Sequence, residues 1–243
     1  MIKKAVKRIW RYFCQTISGI FWYIGDLFRY RRLLKYFNEG FFLFPQIYDK
    51  DPASHTFDKH YIYMDRWAFK HLLSTKPPEH IDVGSSIRFL SMASAVTKLK
   101  FVDIRPVKID FDNFECVEGS ILKLPFADNS VGSLSCLHVA EHIGLGRYGD
   151  PLDPLGTAKA CLELARVLKS GGYLYFALPI GRQATYFNAH RVHNPRIIVK
   201  YFSDLVLEEF SAVTDLGRFV PFAKMEDFEQ SQYACGMFKF IKQ

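Results

Sequence analysis

HIDVGSS, at residues 80–86, joins an apolar strand-like run to a short loop of small residues, and a helical pattern follows it. Small residues allow the backbone to approach a ligand closely, and the N-terminus of the following helix offers free N–H groups. Nucleotide-like ligands bind open α/β sheets at such a junction of strand, loop and helix. We therefore predict a ligand-binding loop with four contributing residues: Asp82, Gly84, Ser85 and Ser86.

The next apolar run, residues 99–103 (LKFVD), ends in Asp103. It follows the Gly84 loop by about 20 residues, the spacing at which a carboxylate can accept hydrogen bonds from both hydroxyls of a ribose. The loop has neither the G-x-G-x-x-G pattern of dinucleotide sites nor the lysine of a phosphate-binding loop. A single glycine suits a ligand with ribose and adenine but no pyrophosphate. S-adenosylmethionine fits that description.

Strand and helix patterns alternate along the rest of the chain. Helices are expected near residues 63–73, 86–97, 155–169 and 195–202. Strands are expected near residues 80–84, 99–103, 114–117, 131–137, 172–178, 205–213 and 232–241. Apolar strands separated by helices indicate a parallel sheet with helices on both faces. The last two strands have no helix between them, so we expect the final strand to be antiparallel.

Charge is distributed unevenly along the 243 residues, whose net charge is +7. Residues 1–37 hold nine basic residues against Asp26 alone, a charge of +8, which leaves −1 for the remainder. A nearly neutral body argues against nucleic-acid binding, which needs a basic surface.

The hydrophobic content of 49% is enough for one sizeable core. We predict a basic aromatic helical leader at 1–37, an irregular segment with one helix at 38–78, and one α/β domain at 79–243.

The leader contains an apolar stretch at about residues 12–25, shorter than the ~20 residues that a membrane-spanning helix needs. Aromatic residues flanked by lysine and arginine are typical of a helix that lies in the interface of an anionic membrane. The alternatives for the leader are a pair of ordinary helices packed on the domain, or a helix that spans the membrane.

The five cysteines show no paired spacing. We expect a cytoplasmic protein, peripheral at the inner face of the cell membrane.

Residues 118–130 (EGSILKLPFADNS) and 137–142 (LHVAEH) resemble the middle region of small-molecule S-adenosylmethionine-dependent methyltransferases. The resemblance implies that Ser120 contacts adenine, with Ile104 and Ile121 beside it, and that the end of the fourth strand lies near the methionine part of the cofactor. Residues 164–172 (LARVLKSGG) match the helix, turn and fifth strand of the same proteins. We expect Gly171 and Gly172 to provide the helix C-cap and the turn.

Five runs together resemble a methyltransferase-like family catalogued as a domain of unknown function, over about residues 40–220. They are HIDVGSS (80–86), VDIRP (102–106), SCLHVAEHIGLGRYGDPLDPLG (135–156), ARVLKSGG (165–172) and FNAHRVH (187–193). The resemblance implies a Rossmann-like class I methyltransferase fold and S-adenosylmethionine as cofactor, but no particular reaction. The chain departs from the general methyltransferase pattern at two positions. Ser86 replaces a usual second glycine, and Ser120 replaces a common acid.

Polar side chains follow the fourth and fifth strands, where an open sheet binds its ligands. The candidate catalytic residues are His138, Glu141, His142 and His190, because histidine and carboxylate groups can remove a proton near neutral pH. Arg147, Asn188 and Arg191 are candidate substrate-binding residues, since arginine can hold a carboxylate or phosphate. A purely structural role in capping and loop bonding is the alternative. No H-E-x-x-H spacing occurs, so we predict no metal.

These observations favour S-adenosylmethionine-dependent methyl transfer to an oxygen or nitrogen of a sugar or lipid-linked glycan precursor. The expected partners are a small-molecule or lipid-linked glycan acceptor and, through residues 1–37, a membrane surface. A non-catalytic methyltransferase-fold scaffold in membrane-associated glycan assembly is one alternative. A nucleotide-sugar-modifying enzyme that uses the same crevice is another.

Overall fold

The computed structural model describes residues 2–33, 43, 45–48 and 57–243. The chain forms two compact units, Met1–Phe57 and Asp58–Gln243. Most of the segment predicted to be irregular before residue 57 lies outside the described residues, as do residues 1 and 34–37 of the predicted leader. The predicted boundaries of the leader (1–37), the irregular segment (38–78) and the α/β domain (79–243) remain predictions.

The first unit contains one long helix, α1 (Ile2–Leu33). Thr16 Oγ1 donates a hydrogen bond to the carbonyl of Tyr12 at 2.8 Å and is 3.0 Å from the Tyr48 hydroxyl oxygen. Trp10, Phe13 and Phe21 are 65%, 55% and 74% exposed, and they belong to an apolar stripe at spacings of three and four residues. Its other members are Ile17, Ile20, Ile24 and Phe28. Within the described part of the chain, no helix has the length and apolarity to cross a membrane.

The second unit is an α/β domain. Its helices are α2 (Lys59–Thr75), α3 (Ile87–Ser94), α4 (Gly156–Val167) and α5 (Pro195–Tyr201), with 3₁₀ turns at Ala140–His142 and Met225–Phe228. Its main sheet contains β1 (Glu79–Val83), β2 (Lys98–Asp103), β3 (Phe114–Glu118), β4 (Val131–Leu137), β5 (Leu168–Ile180), β8 (Leu205–Val213), β9 (Phe219–Val220) and β10 (Ala234–Lys242). A separate hairpin consists of β6 (Ala184–Tyr186) and β7 (His190–Val192).

The strand order is β3-β2-β1-β4-β5-β10-β8-β9. Strands β1 to β5 are parallel to one another, and β10 is antiparallel to both β5 and β8. The predicted seven strands, with the last one antiparallel, are therefore confirmed, and the short β9 adds an eighth at the edge. The order reverses between β1 and β4, and open sheets bind ligands beyond the strand ends at such a point.

The core consists of two apolar layers, one on each face of the sheet. Leu174 and Phe176 of β5 pack in the layer that contains α4, and Tyr175 and Ala177 pack in the layer that contains α2 and α3. This alternation is the period of two that a strand buried on both faces requires. Cys136 is a fully buried member of the α4 layer, as expected of a small apolar side chain.

Two local predictions differ from the structure. α4 ends at Val167 and Leu168 is already extended, so Gly171 and Gly172 do not cap the helix. Gly171 has φ +73° in an irregular start of β5, where the chain bulges before it pairs with β4. α2 begins earlier than predicted because Asp58 caps it, accepting a hydrogen bond from the Tyr61 N–H at 3.2 Å.

A buried chain of hydrogen bonds connects β1 to β4 beneath the Gly84 loop. The Asp82 carboxylate accepts hydrogen bonds from the Ser85 N–H at 3.0 Å, the Ser85 hydroxyl at 2.7 Å and the Ser135 hydroxyl. The Ser85 oxygen accepts the N–H of Leu137 at 3.1 Å. Nε2 of His80 lies 2.8 Å from the Ser135 hydroxyl. Burial raises the pKa of Asp82 to about 7 and lowers the pKa of His80 to about 3.

The raised pKa of Asp82 makes the stability of the domain depend on pH. Between its ordinary value of 3.8 and about 7, the folded protein keeps a proton that the unfolded chain has lost, so stability falls as pH rises through this window. Asp82→Asn removes the titration. From pH 4.5 to 8, the variant should therefore gain about 1–4 kcal/mol of unfolding free energy relative to the wild type, measured by urea unfolding followed by near-UV circular dichroism.

Asp110→Asn is the matched control, because Asp110 is an exposed aspartate in the loop after β2. The difference in unfolding free energy between Asp110→Asn and the wild type should not change over the same pH range. If the difference for Asp82→Asn did not change with pH either, the raised pKa of Asp82 would be contradicted.

Candidate functional site

Two adjoining cavities open at the carboxyl ends of β1, β2 and β4. The first, which we call the apolar cavity, has a volume of about 320 Å³ and is bordered by the ends of β1, β2 and β3. The second, which we call the polar cavity, has about 490 Å³ and lies toward the start of α2. They share four lining residues: Gly84, His138, His142 and Tyr148. A group bound in one cavity therefore lies next to a group bound in the other.

Gly84 forms the boundary between the two cavities, and its backbone excludes a side chain. Its φ is +70°, and a Cβ atom built on it would lie 2.9 Å from Cγ1 of Val139. Its N–H donates to the carbonyl of Val102 at 3.0 Å, which holds the loop against β2. Glycine is thus required both by the left-handed backbone and by the close approach of Val139.

Asp103 lies at the end of β2 and lines the apolar cavity. Its Oδ1 accepts the N–H of Arg105 at 2.7 Å, and among the described residues no donor is bonded to Oδ2. Ile104 and Ile121 provide apolar walls of the same cavity, beside Ser120. The Ser120 hydroxyl oxygen accepts the Leu122 N–H at 3.2 Å. The structure therefore brings together the residues predicted to hold a nucleoside, with one carboxylate oxygen available.

Asp82, Ser85 and Ser86 differ in their relation to the cavities. Ser85 and Ser86 line the polar cavity, whereas Asp82 lines neither cavity. Asp82 pairs with Phe101 of β2 and so lies on the same face of the sheet as Asp103, but its carboxyl group is bonded beneath the loop. Asp82 therefore positions the loop and does not reach a ligand. Ser86 caps α3, accepting the Phe89 N–H at 3.3 Å.

His138 and Glu141 form a buried pair in the wall of the polar cavity. Nδ1 of His138 is 2.7 Å from Oε1 of Glu141, and the two side chains are 5% and 1% exposed. Burial lowers the pKa of His138, but the neighbouring Cys235 and Glu141 outweigh burial, and the pKa lies well above its ordinary value. Burial raises the pKa of Glu141, but the opposite charge of His138 outweighs it and lowers that pKa.

His142 lines both cavities and has a defined tautomer. Its Nδ1 lies 2.6 Å from the carbonyl oxygen of Ala189, which can only accept a hydrogen bond. Nδ1 therefore carries a proton, and Nε2 lies 3.7 Å from Oε1 of Glu141. The guanidinium of Arg147, which also lines the polar cavity, donates to the same carbonyl at 2.9 Å. The β6–β7 hairpin thus orients both side chains through one backbone oxygen.

Three predicted residues around the hairpin have different surroundings. His190 lines the polar cavity, with its ring 4.9 Å from that of Tyr233, and burial lowers its pKa. Arg191 lines neither cavity, because it is buried and donates to the carbonyls of Ile143 and Asp153. Asn188 is exposed in the hairpin turn and also lines neither cavity. The prediction that Arg191 and Asn188 face the crevice is therefore corrected.

Six lining residues of the polar cavity were missed by the sequence analysis: Asp58, His60, Tyr61, Leu137, Tyr148 and Tyr233. The first three belong to the start of α2. Asp58 could have been recognised as a helix N-cap, since an aspartate directly precedes the helical apolar pattern. No local signal identifies Tyr233, because its position depends on how β10 returns through the sheet.

Residues 91–212, which are 122 of the 243 residues, match the family described as "Caenorhabditis protein of unknown function, DUF268". No protein with a curated description matches the chain in sequence.

Solved structures share the fold at low sequence identity. The N-methyltransferase NodS from Bradyrhizobium japonicum WM9, in complex with S-adenosyl-L-homocysteine, superposes with a TM-score of 0.55 at 14% identity, over 82% of this chain and 91% of its own. The cyclase SpnF superposes with a TM-score of 0.55 at 11% identity, over 85% of this chain and 84% of its own. Geranyl diphosphate methyltransferase in complex with SAM superposes with a TM-score of 0.52 at 13% identity, over 74% of this chain and 85% of its own. Such likeness shows the fold alone, and the fold carries more than one activity.

Gly84→Ala should destabilise the protein more than Gly149→Ala, its matched control. Gly149 also has a positive φ, +85°, but nothing lies within 4 Å of an added Cβ. Left-handed strain should cost about 1–2 kcal/mol at either position, and contact with Val139 should bring the total for Gly84→Ala to about 2–4 kcal/mol. Urea unfolding of both variants measures the difference.

Val139→Ala removes both methyl groups that crowd the new Cβ. In a double-mutant cycle it should recover part of the loss in Gly84→Ala. Equal destabilisation of the two glycine variants, with no coupling to Val139, would show that the loop accommodates a side chain at Gly84.

Proposed function

Because the chain belongs to the DUF268 family and has the class I S-adenosylmethionine-dependent methyltransferase fold, we propose that it is a methyltransferase. S-adenosylmethionine binds in the apolar cavity, and a small-molecule acceptor binds in the polar cavity. The observation that carries this proposal is the position of Asp103, a carboxylate with one open oxygen at the end of β2, across the cavity from the close-packed Gly84. A ribose with two hydroxyls is the group that such a carboxylate binds.

The residues of the apolar cavity support an adenosine ligand. Ile104, Ile121 and Val139 offer apolar surface for a base, and a cavity of about 320 Å³ falls within the range of small-molecule sites. Gly84 lies at the boundary with the polar cavity, where the close approach of Val139 excludes a side chain.

When bound, the cofactor supplies a methyl group already activated by its sulfonium. The chain must then orient the acceptor and remove its proton. His142 suits the second task, since it lines both cavities and the Ala189 carbonyl holds its Nδ1, so that in the neutral ring Nε2 can accept a proton. His190 lines the same polar cavity and orients against Tyr233, while the His138–Glu141 pair forms a fixed wall. His142 is therefore the base that we propose.

The polar cavity supports an acceptor rich in hydroxyl groups, such as a sugar or a lipid-linked glycan precursor. Tyr61 and Tyr233 provide rings with a hydroxyl, Asp58 provides a carboxylate, and Arg147 provides a cation at the wall. These groups can both donate and accept hydrogen bonds with a small polar ligand.

Isothermal titration calorimetry with S-adenosylhomocysteine tests the cofactor site. The wild type should bind, and Asp103→Ala should bind about 10–100-fold more weakly, because hydrogen bonds to a charged group contribute about 1.5–3 kcal/mol. Asp110→Ala changes an exposed aspartate in the loop after Asp103, is the matched control, and should bind like the wild type. His142→Asn should keep most of the affinity, since the proposed base does not hold the cofactor.

An absence of binding by the wild type at millimolar ligand would rule out the methyltransferase proposal. It would favour a non-catalytic scaffold with this fold, which would keep its partners in Asp103→Ala. Binding that is equally strong in wild type and Asp103→Ala would mean that another residue holds the ribose.

We also propose that α1 lies on the anionic inner face of the cell membrane, where it would bring the domain to a lipid-linked acceptor. The exposed apolar stripe of α1 supports this proposal, together with the charge of +8 in residues 1–37. Each basic residue close to an anionic surface contributes about 1 kcal/mol, and buried aromatic side chains add to this.

Sedimentation with vesicles of anionic phospholipid tests the membrane proposal. Phe13→Ser with Phe21→Ser should lower the bound fraction by roughly tenfold or more, because each phenylalanine loses about 1.5–3 kcal/mol of burial. Cys14→Ser with Ser18→Ala changes the same helix outside the stripe and should bind like the wild type. Binding should also weaken at high salt and on neutral lipid. Equal binding by both double variants would contradict the proposal.

A further inference from the structure

Three side chains that are far apart in the sequence meet at the wall of the polar cavity. His60 comes from α2, His138 follows β4, and Cys235 comes from β10. One nitrogen of each histidine and the sulfur of Cys235 lie within 4.8 Å of one another. The two imidazole rings are stacked, with centroids 5.6 Å apart. No other group of three such residues comes together in the part of the chain that the structure describes.

His138 has a nitrogen without a partner inside this cluster. Its Nδ1 is engaged by Glu141, whereas its Nε2 is buried and has no hydrogen bond of normal geometry, although the Cys235 thiol lies nearby. The side chain is 5% exposed, so bulk solvent does not reach this nitrogen. An unsatisfied buried polar atom costs about 1–3 kcal/mol, and native proteins keep few of them. A bound ion would satisfy this nitrogen.

The surroundings of His138 are those of a metal ligand. Histidines that bind metals donate their other ring nitrogen to a carboxylate, and Glu141 stands in that position at 2.7 Å. Two imidazoles and one thiolate suit Zn²⁺, which binds nitrogen and sulfur. Donor atoms around one Zn²⁺ lie roughly 3.5 Å apart, so separations of no more than 4.8 Å close by small side-chain rotations.

A nucleophilic triad of Cys235, His138 and Glu141 is a less suitable interpretation of the same residues. Cys235 has no exposed surface and lines neither cavity, so a substrate in the polar cavity does not reach its sulfur. A metal ion needs no such access for the thiolate, because it can occupy the space between the three side chains.

We propose that His60, His138 and Cys235 bind a Zn²⁺ ion in the wall of the polar cavity. His60 and His138 line this cavity and Cys235 lies behind them, so the fourth coordination position faces the cavity. Catalytic zinc sites have three protein ligands and such an open position. Resting on the proposed function, the ion would bind an oxygen or nitrogen of the acceptor and lower its pKa, beside His142. The metal site itself does not depend on methyl transfer.

Cobalt titration of the full-length protein, stripped with a chelator, tests the site. Co²⁺ occupies zinc sites and shows a charge-transfer absorption when a thiolate binds it. The wild type should take up one equivalent with this absorption, and Zn²⁺ should displace it. Cys235→Ser should lose the absorption. Cys136→Ser and Cys161→Ser, which change buried cysteines outside the cluster, should keep it.

Two further variants keep the test informative if Cys235→Ser does not fold. His60→Asn should retain the fold and weaken cobalt affinity by at least about tenfold, and Glu141→Gln should weaken it by about 10–100-fold. An absence of thiolate absorption at stoichiometric Co²⁺ would overturn the proposal. So would an absorption that persists in Cys235→Ser and disappears in Cys14→Ser, because Cys14 is the exposed thiol. Neither readout uses S-adenosylhomocysteine, so failure of the cofactor proposal remains distinguishable.

Discussion

A carboxyl group without access to water lies beneath the loop that separates the two cavities. Asp82 receives the Ser85 N–H and two hydroxyls, and the Ser85 oxygen receives the N–H of Leu137. The bonds tie the end of β1 to the end of β4, the two strands between which the sheet reverses its order. Because a buried carboxyl group is costly without such partners, the loop has one favourable conformation. Gly84 and the N-terminus of α3 are thereby held in place for a ligand.

The two cavities differ in chemistry although they share a wall. The apolar cavity has the carboxylates of Asp103 and Asp150 at its rim and aliphatic side chains around it, whereas four histidines and two acids line the polar cavity. Burial keeps His60 uncharged by lowering its pKa to about 4. Nitrogen atoms that stay unprotonated near neutral pH can serve as bases or as metal ligands. In the proposed methyltransferase, the apolar cavity would then bind the cofactor and the polar cavity would hold the groups that react.

Much of the fold was predictable from the sequence, because the strands of a sheet buried on both faces are continuous apolar runs, and the helices have a clear period. Asp103 and Gly84 were predictable as well, since a strand end and the loop after it determine where they lie. Asp82 and Arg191 were assigned to ligands but are structural, because the sequence does not reveal which way a buried polar side chain turns. Tyr233 was missed because its position is set only when β10 returns through the middle of the sheet.

Arg191 joins the segment after β4 to the β6–β7 hairpin by donating to backbone carbonyls, those of Ile143 and Asp153. Every residue has the same backbone carbonyl oxygen, so these two hydrogen bonds do not depend on which side chains the segment carries. Substitutions at exposed positions between residues 144 and 153 can therefore alter the rim of the cavities without loosening the support beneath. If the polar cavity binds the proposed acceptor, a single substitution at this rim changes which acceptor fits while the backbone support stays the same.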